Sequence, residues 1–164
     1  MAPHDVSRAL RVRLSAELRL DLASVERRAL AVVELAASPP HEDETIAHIR
    51  SLALAFELER FYTAVETSLE RAIQALDGGV PRGAHWHAEL LHAASVAVSG
   101  FRPALLTTEA AAALRELLSF RHFVRHSYDA EPDAKRLVEL AVHVSTVVGA
   151  WRVSMPALFA ELEA

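Results

Sequence analysis

The sequence predicts an all-α protein built as a single helical bundle, and three observations predict it. Apolar residues recur three and four positions apart along most of the 164 residues, the spacing that lines one face of an α-helix. Glycine and proline are few, 5 and 7, and most fall between these stretches, where they act as punctuation. No segment alternates apolar and polar residues as a half-buried strand does. About five helices in one domain, residues 1–164, are therefore expected.

The first helix is expected over residues 11–37, with Leu14, Leu18, Leu22, Val25, Ala29, Val32 and Ala36 as its apolar stripe. Ser38-Pro39-Pro40 stops it, because proline cannot continue a helix. The acidic run Glu42-Asp43-Glu44 suits the start of a second helix, whose dipole favours negative charge there. That helix, residues 43–76, carries Leu54, Leu58, Phe61, Val65, Leu69, Ala72 and Leu76, and Gly78-Gly79 followed by Pro81 closes it. A shorter helix over residues 84–94 holds Trp86, Leu90 and Leu91, and residues 95–106 read as irregular. Thr107 or Thr108 caps the next helix, about residues 108–127, which frays from His126 onward. The last helix is expected to begin with Pro132 in its first turn. Its face is Leu137, Leu140, Val144, Val147, Val148 and Trp151, and Pro156 is expected to kink or split it.

Composition excludes several classes. Apolar residues make up 52%, so the chain can bury a substantial core, and disorder is excluded. A net charge of -5 rules out a generic polyanion binder, and any nucleic-acid site must be a local basic cluster. With no cysteine there is neither a disulfide framework nor a thiolate zinc site. The N-terminal residues lack the apolar segment of a secretion signal, and no uninterrupted apolar run is long enough to span a membrane. A cytoplasmic protein without membrane association is the expectation.

Chemistry concentrates in one stretch, Phe120-Arg121-His122-Phe123-Val124-Arg125-His126-Ser127-Tyr128-Asp129. Reading back from Arg121 at helical spacing gives Leu117, Leu114 and Ala110, so a guanidinium stands where another leucine is expected. A buried arginine is costly unless paired or used. Phe120 and Phe123 read as core, Trp86 as a packing anchor, and His87 as a hydrogen-bonded partner near it.

The form Arg121, four residues, His126, one residue, Tyr128 resembles the signature of the HEPN superfamily, and most closely that of HepT-like ribonuclease toxins. The polar His122 directly after the arginine fits the same pattern. Phe61-Tyr62-Thr63-Ala64-Val65-Glu66, then Pro81 and Trp86-His87-Ala88-Glu89-Leu90-Leu91, then Arg102-Pro103, are similar to HepT-like sequences in the same order. The resemblance runs from about the second helix to the C-terminus. It implies a HEPN-type bundle and the toxin component of a toxin–antitoxin system, a metal-independent endoribonuclease with no cofactor. Its catalytic residues would be Arg121 and His126, supported by His122 and Arg125. It also implies a homodimer with the two motifs facing across a cleft. The partner would be an MntA-like nucleotidyltransferase antitoxin that transfers AMP to Tyr128.

The residues support that chemistry independently. RNA carries its own nucleophile in the 2′-hydroxyl. Cleavage then needs a proton-transfer group near neutral pH, a role for His126, and a cation for the charge on the phosphorane, a role for Arg121. Five residues on a helix is a turn of about 140°, so Arg121 and His126 do not share a face. Either the helix distorts at its end or two chains complete each site.

Other readings stand beside this one. Arg121 could pair a second-helix glutamate such as Glu66, and His126 could merely complement the helix dipole. His122, His126 and Asp129, or His85, Glu89 and His92, have spacings that could hold a metal. Tyr128 could be a packed, hydrogen-bonded tyrosine. A catalytically inactive HEPN module that binds a nucleotidyltransferase, or a purely structural bundle, are the alternative functions.

Overall fold

The computed structural model describes residues 3–126 and 133–164, with side chains from residue 7 onward. Within them lie five helices: α1 (Pro3–Ala37), α2 (Glu44–Leu76), α3 (Trp86–Ser95), α4 (Thr108–His126) and α5 (Ala134–Glu163). The four long helices form the bundle. α1 packs against α2 and α5, α4 against α5 and α2, and the short α3 wedges against α2 and α4. The expected all-α bundle of about five helices is the observed fold.

Local chemistry sets the helix ends. Asp43 caps α2 by accepting from the backbone N–H groups of Thr45 at 2.8 Å and Ile46 at 3.2 Å. Past its other end Gly78 takes φ +80°, a conformation that costs glycine nothing. Thr107 Oγ1 accepts from the Ala110 N–H at 3.1 Å and so caps α4. The largest departure from expectation is at the start of α1. α1 begins at Pro3 rather than Arg11, since proline is tolerated in a first turn and nothing after it breaks the helix. α5 begins at Ala134 with Asp133 as its cap, and Pro132, expected in its first turn, lies outside the described residues.

Pro156 does not split α5, which is continuous to Glu163. The proline faces solvent, and the carbonyl it leaves without a partner, that of Arg152, belongs to an exposed residue that water can reach. α5 holds no uninterrupted apolar run of membrane-spanning length, since residues such as Glu139, His143, Ser145 and Thr146 break it, but it is apolar on average. Among the described residues it is the one helix that qualifies by length and composition, with a mean hydropathy of 1.2. Leu137, Leu140, Val144, Val147 and Trp151 on its inner face are fully buried in the bundle, while Val138, Val142 and Val153 on its outer face are exposed.

The core is the predicted set of stripes brought together. Val25 and Val32 of α1, Leu58, Phe61 and Val65 of α2, and Leu114 and Leu117 of α4 lie with those α5 residues in one cluster. Each fully buried side chain of this kind contributes about 1.5–3 kcal/mol. Trp151 satisfies its indole by donating Nε1–H to the Leu105 carbonyl at 3.1 Å, which ties α5 to the segment before α4. Phe123 corrects the expectation that both motif phenylalanines are core. Phe120 is buried, but Phe123 is 46% exposed. It lies about 200° around the helix from Arg121 and so faces away from the bundle.

Candidate functional site

The helical run of α4 carries Ala110, Leu114 and Leu117 into the core, and Arg121 follows them in register. It is 8% exposed, close to the burial of a leucine in that position. Its guanidinium sits 5.7 Å from the ring centroid of Tyr62 on α2, within range of a cation–π contact. Arg121 Nε is buried without a hydrogen-bond partner, and among the described residues Arg121 forms no ion pair. The pairing of Arg121 with Glu66 raised by the sequence is therefore not the arrangement found.

Glu66 is engaged elsewhere. It is buried on α2, and its Oε1 makes a short hydrogen bond with His87 Nδ1 at the start of α3. A carboxylate only accepts, so Nδ1 carries the proton and Nε2 is bare when the ring is neutral. Trp86 stacks on the His87 ring with centroids 3.8 Å apart, fixing its plane. The outcome for Trp86 and His87 matches the sequence reading, with Glu66 as the partner that reading left unnamed. The signal was present: Tyr62, Glu66, Leu69 and Ile73 share helical spacing, and all four are buried.

A row of histidines leads from this pair to the end of α4. His87 meets His122 edge-on, with centroids 5.7 Å apart, and His122 lies 6.3 Å from His126. His122 is exposed, yet its pKa is held below the ordinary value by partial desolvation, then by the charges of His87, Arg121 and His126. His126 is also exposed, and its Nδ1 lies 2.8 Å from the His122 backbone carbonyl. That carbonyl can only accept, so the neutral imidazole again presents a bare Nε2. Arg125 reaches back to Glu59 of α2 at 2.8 Å and is half exposed.

Burial raises the Tyr62 pKa, and the nearby Glu66 carboxylate adds to the rise, although the buried hydroxyl makes no well-formed hydrogen bond. Glu70, one turn beyond Glu66, is also raised, by desolvation first and by Glu66 second. A groove of about 760 Å³ runs between α1 and α2 and is lined by residues including Leu10, Glu17, Glu70 and Arg71, not by Arg121 or His126. The histidine row runs from the largely buried His87 to the exposed His122 and His126 at the surface.

The structure brings together four of the expected site residues, Arg121, His122, Arg125 and His126, with Arg121 inward and the other three outward. α4 stays helical through His126, so no distortion returns Arg121 and His126 to one face. Tyr128 and Asp129 lie outside the described residues. Among the described residues no three His, Asp or Glu side chains gather as a metal site, and His85, Glu89 and His92 are each exposed.

A family model for HepT-like proteins matches residues 53–161, most of the chain from α2 onward. The chain belongs to the HepT-like family. Membership places this HepT-like protein among HEPN proteins, a group tied to toxin–antitoxin systems and, at the general level, to ribonuclease activity. The matched span contains Glu66, His87 and the whole Arg121 to Tyr128 motif, and it leaves out α1. No curated protein and no solved structure matches the HepT-like chain.

Proposed function

We propose that this protein is the toxin of a toxin–antitoxin pair, a metal-independent endoribonuclease acting in the cytoplasm. One observation carries the reading. Arg121 is buried with an unpartnered Nε, one residue from a histidine row that opens to solvent. A guanidinium kept without a carboxylate is matched to a phosphate oxygen, and it stabilises the charge that develops when the 2′-hydroxyl attacks. His126, with Nδ1 held by the backbone, offers Nε2 to take the 2′-hydroxyl proton. His122, kept neutral, and Arg125 support the two.

The active form is a homodimer in which two motifs share one cleft. On α2 the residues Ile49, Leu52 and Phe56 fall within a narrow arc opposite the core, and each is about half exposed. An apolar strip of this kind beside the motif fits a second copy of the same surface. The antitoxin is an MntA-like nucleotidyltransferase, and Tyr128 is the residue that accepts AMP from it. The added phosphate would occupy Arg121 and Arg125 and block the cleft.

The test is cleavage of RNA in the presence of a chelator. Wild type should cut and leave a cyclic phosphate, and His126→Ala should lose about 10²–10⁴-fold. Cleavage that stops with chelator and returns with added metal counts against the mechanism. Light scattering should report a dimer, and a monomer with full activity contradicts the shared cleft. Tyr128→Phe should remain toxic beside the co-expressed antitoxin and gain no AMP mass; full neutralisation of that variant refutes the modification.

A further inference from the structure

Cleavage by the 2′-hydroxyl moves two protons. One leaves the 2′-oxygen as it attacks phosphorus, and one must reach the 5′-oxygen as its bond to phosphorus breaks. His126 accounts for the first. Within the Arg121 to His126 motif guanidinium groups do not give up protons, and desolvation and the charges of His87, Arg121 and His126 disfavour a proton on His122.

We propose that His87, held by the buried carboxylate of Glu66, is the proton donor to the leaving 5′-oxygen; this rests on the ribonuclease reading above. The Glu66 bond fixes the ring through Nδ1, and among the described residues Nε2 makes no hydrogen bond. Trp86 covers one face of the ring, while the side chain keeps 15% of its surface open. Its edge contact with His122 places it in the same row as His126. Glu66 compensates the charge of the imidazolium, with Glu70 one turn further along α2 on the same side. The same contact explains why Arg121 stays unpaired, since the nearest buried carboxylate is committed to His87.

The balance closes. His126 Nε2 takes the 2′-hydroxyl proton, the 2′-oxygen bonds to phosphorus, and the bond to the 5′-oxygen breaks. His87 gives its Nε2 proton to that oxygen. The products are a 2′,3′-cyclic phosphate and a 5′-hydroxyl, and proton exchange with water resets both rings. His87 is the donor, and Glu66 is a positioning residue that acts through it.

The experiment uses the full chain and two short RNAs, one ordinary and one with sulfur in place of the bridging 5′-oxygen at the cleaved bond. A thiolate departs without needing a proton. His87→Gln should cut ordinary RNA about 10²–10⁴-fold more slowly than wild type and recover to near the wild-type rate on the sulfur substrate. His126→Ala should be slow on both. Glu66→Gln, which keeps an acceptor oxygen for His87 and removes only the charge, should show a smaller loss with the same recovery. It guards against a folding defect in the first variant. Wild-type rates for His87→Gln on ordinary RNA, or no recovery on the sulfur substrate, overturn the assignment while leaving the ribonuclease reading in place. A wild-type protein that cuts neither RNA removes both.

Discussion

Two arginines are buried in this bundle, and they are held in opposite ways. Arg102 is 4% exposed and has every donor direction answered. Nε and Nη2 fork onto both oxygens of Asp77 at 2.6 and 2.7 Å. Nη1 donates to the Val96 and Pro103 carbonyls, and Nη2 donates also to that of Ala93. Arg121 is 8% exposed, yet its Nε has no partner and its nearest aromatic neighbour is the ring of Tyr62. The first guanidinium is a structural tie between the end of α2 and the loop before α4. The second is a cation left without a carboxylate at the edge of the histidine row. Burial alone therefore does not distinguish these two arginines; the inventory of partners does, and it is what singles out Arg121 for the proposed role.

The comparison can be broken first at Arg102. Arg102→Met should destabilise the fold by about 3–5 kcal/mol, because it strands Asp77 and three carbonyls. At roughly 2–4 °C per kcal/mol for a domain of this size, the melting temperature should fall on the order of 10 °C. A thermal melt by circular dichroism checks this, and a change within a degree or two refutes the structural role.

How much of this was legible in the sequence depended on whether the partners lay on one helix. Arg121 stood out because its stripe mates, Leu117 and Leu114, are its own neighbours at helical spacing. The caps at Asp43 and Thr107 were readable for the same local reason. The Arg102 fork was not, since Asp77 is 25 residues away and the intervening α3 must pack before the two meet. Glu66 and His87 were each noticed, but their mutual bond joins two helices across 21 residues, and either could have served Arg121 as well. Phe123 was misplaced because the whole motif was read as one unit, whereas successive helix positions diverge by about 100°.

Tyr62 sharpens the contrast from the other side of the guanidinium. Its raised pKa keeps the phenol protonated in the folded protein, while the unfolded chain ionises near 10. Its contribution is complete below about pH 10 and is lost as pH rises above it. Tyr62→Phe keeps a ring beneath Arg121 and removes a buried hydroxyl without a well-formed bond. It should leave stability near pH 7 little changed and remove part of the alkaline loss. Melts across pH 7–11 check this, and an unchanged alkaline limb contradicts it.

The smallest effect is expected at Arg125, whose pairing with Glu59 is half exposed. Glu59→Ala should change stability by no more than about 0.5 kcal/mol. It frees the Arg125 guanidinium for a phosphate, so RNA affinity at low salt should rise slightly and the gain should fade as salt increases. Unchanged affinity at every salt concentration would remove Arg125 from the binding surface.

The most direct measurement pairs a melt with an RNA cleavage assay on Arg121→Met. Replacing an unpartnered buried cation by an apolar side chain of similar length should leave the melting temperature equal to or above that of wild type, by about 1 kcal/mol or more in stability. Cleavage should fall by about 10²-fold or more, because the donor for the phosphorane charge is gone. A variant that melts well below wild type, as expected for Arg102→Met, and still cuts RNA at the wild-type rate would make Arg121 a structural residue and contradict the account.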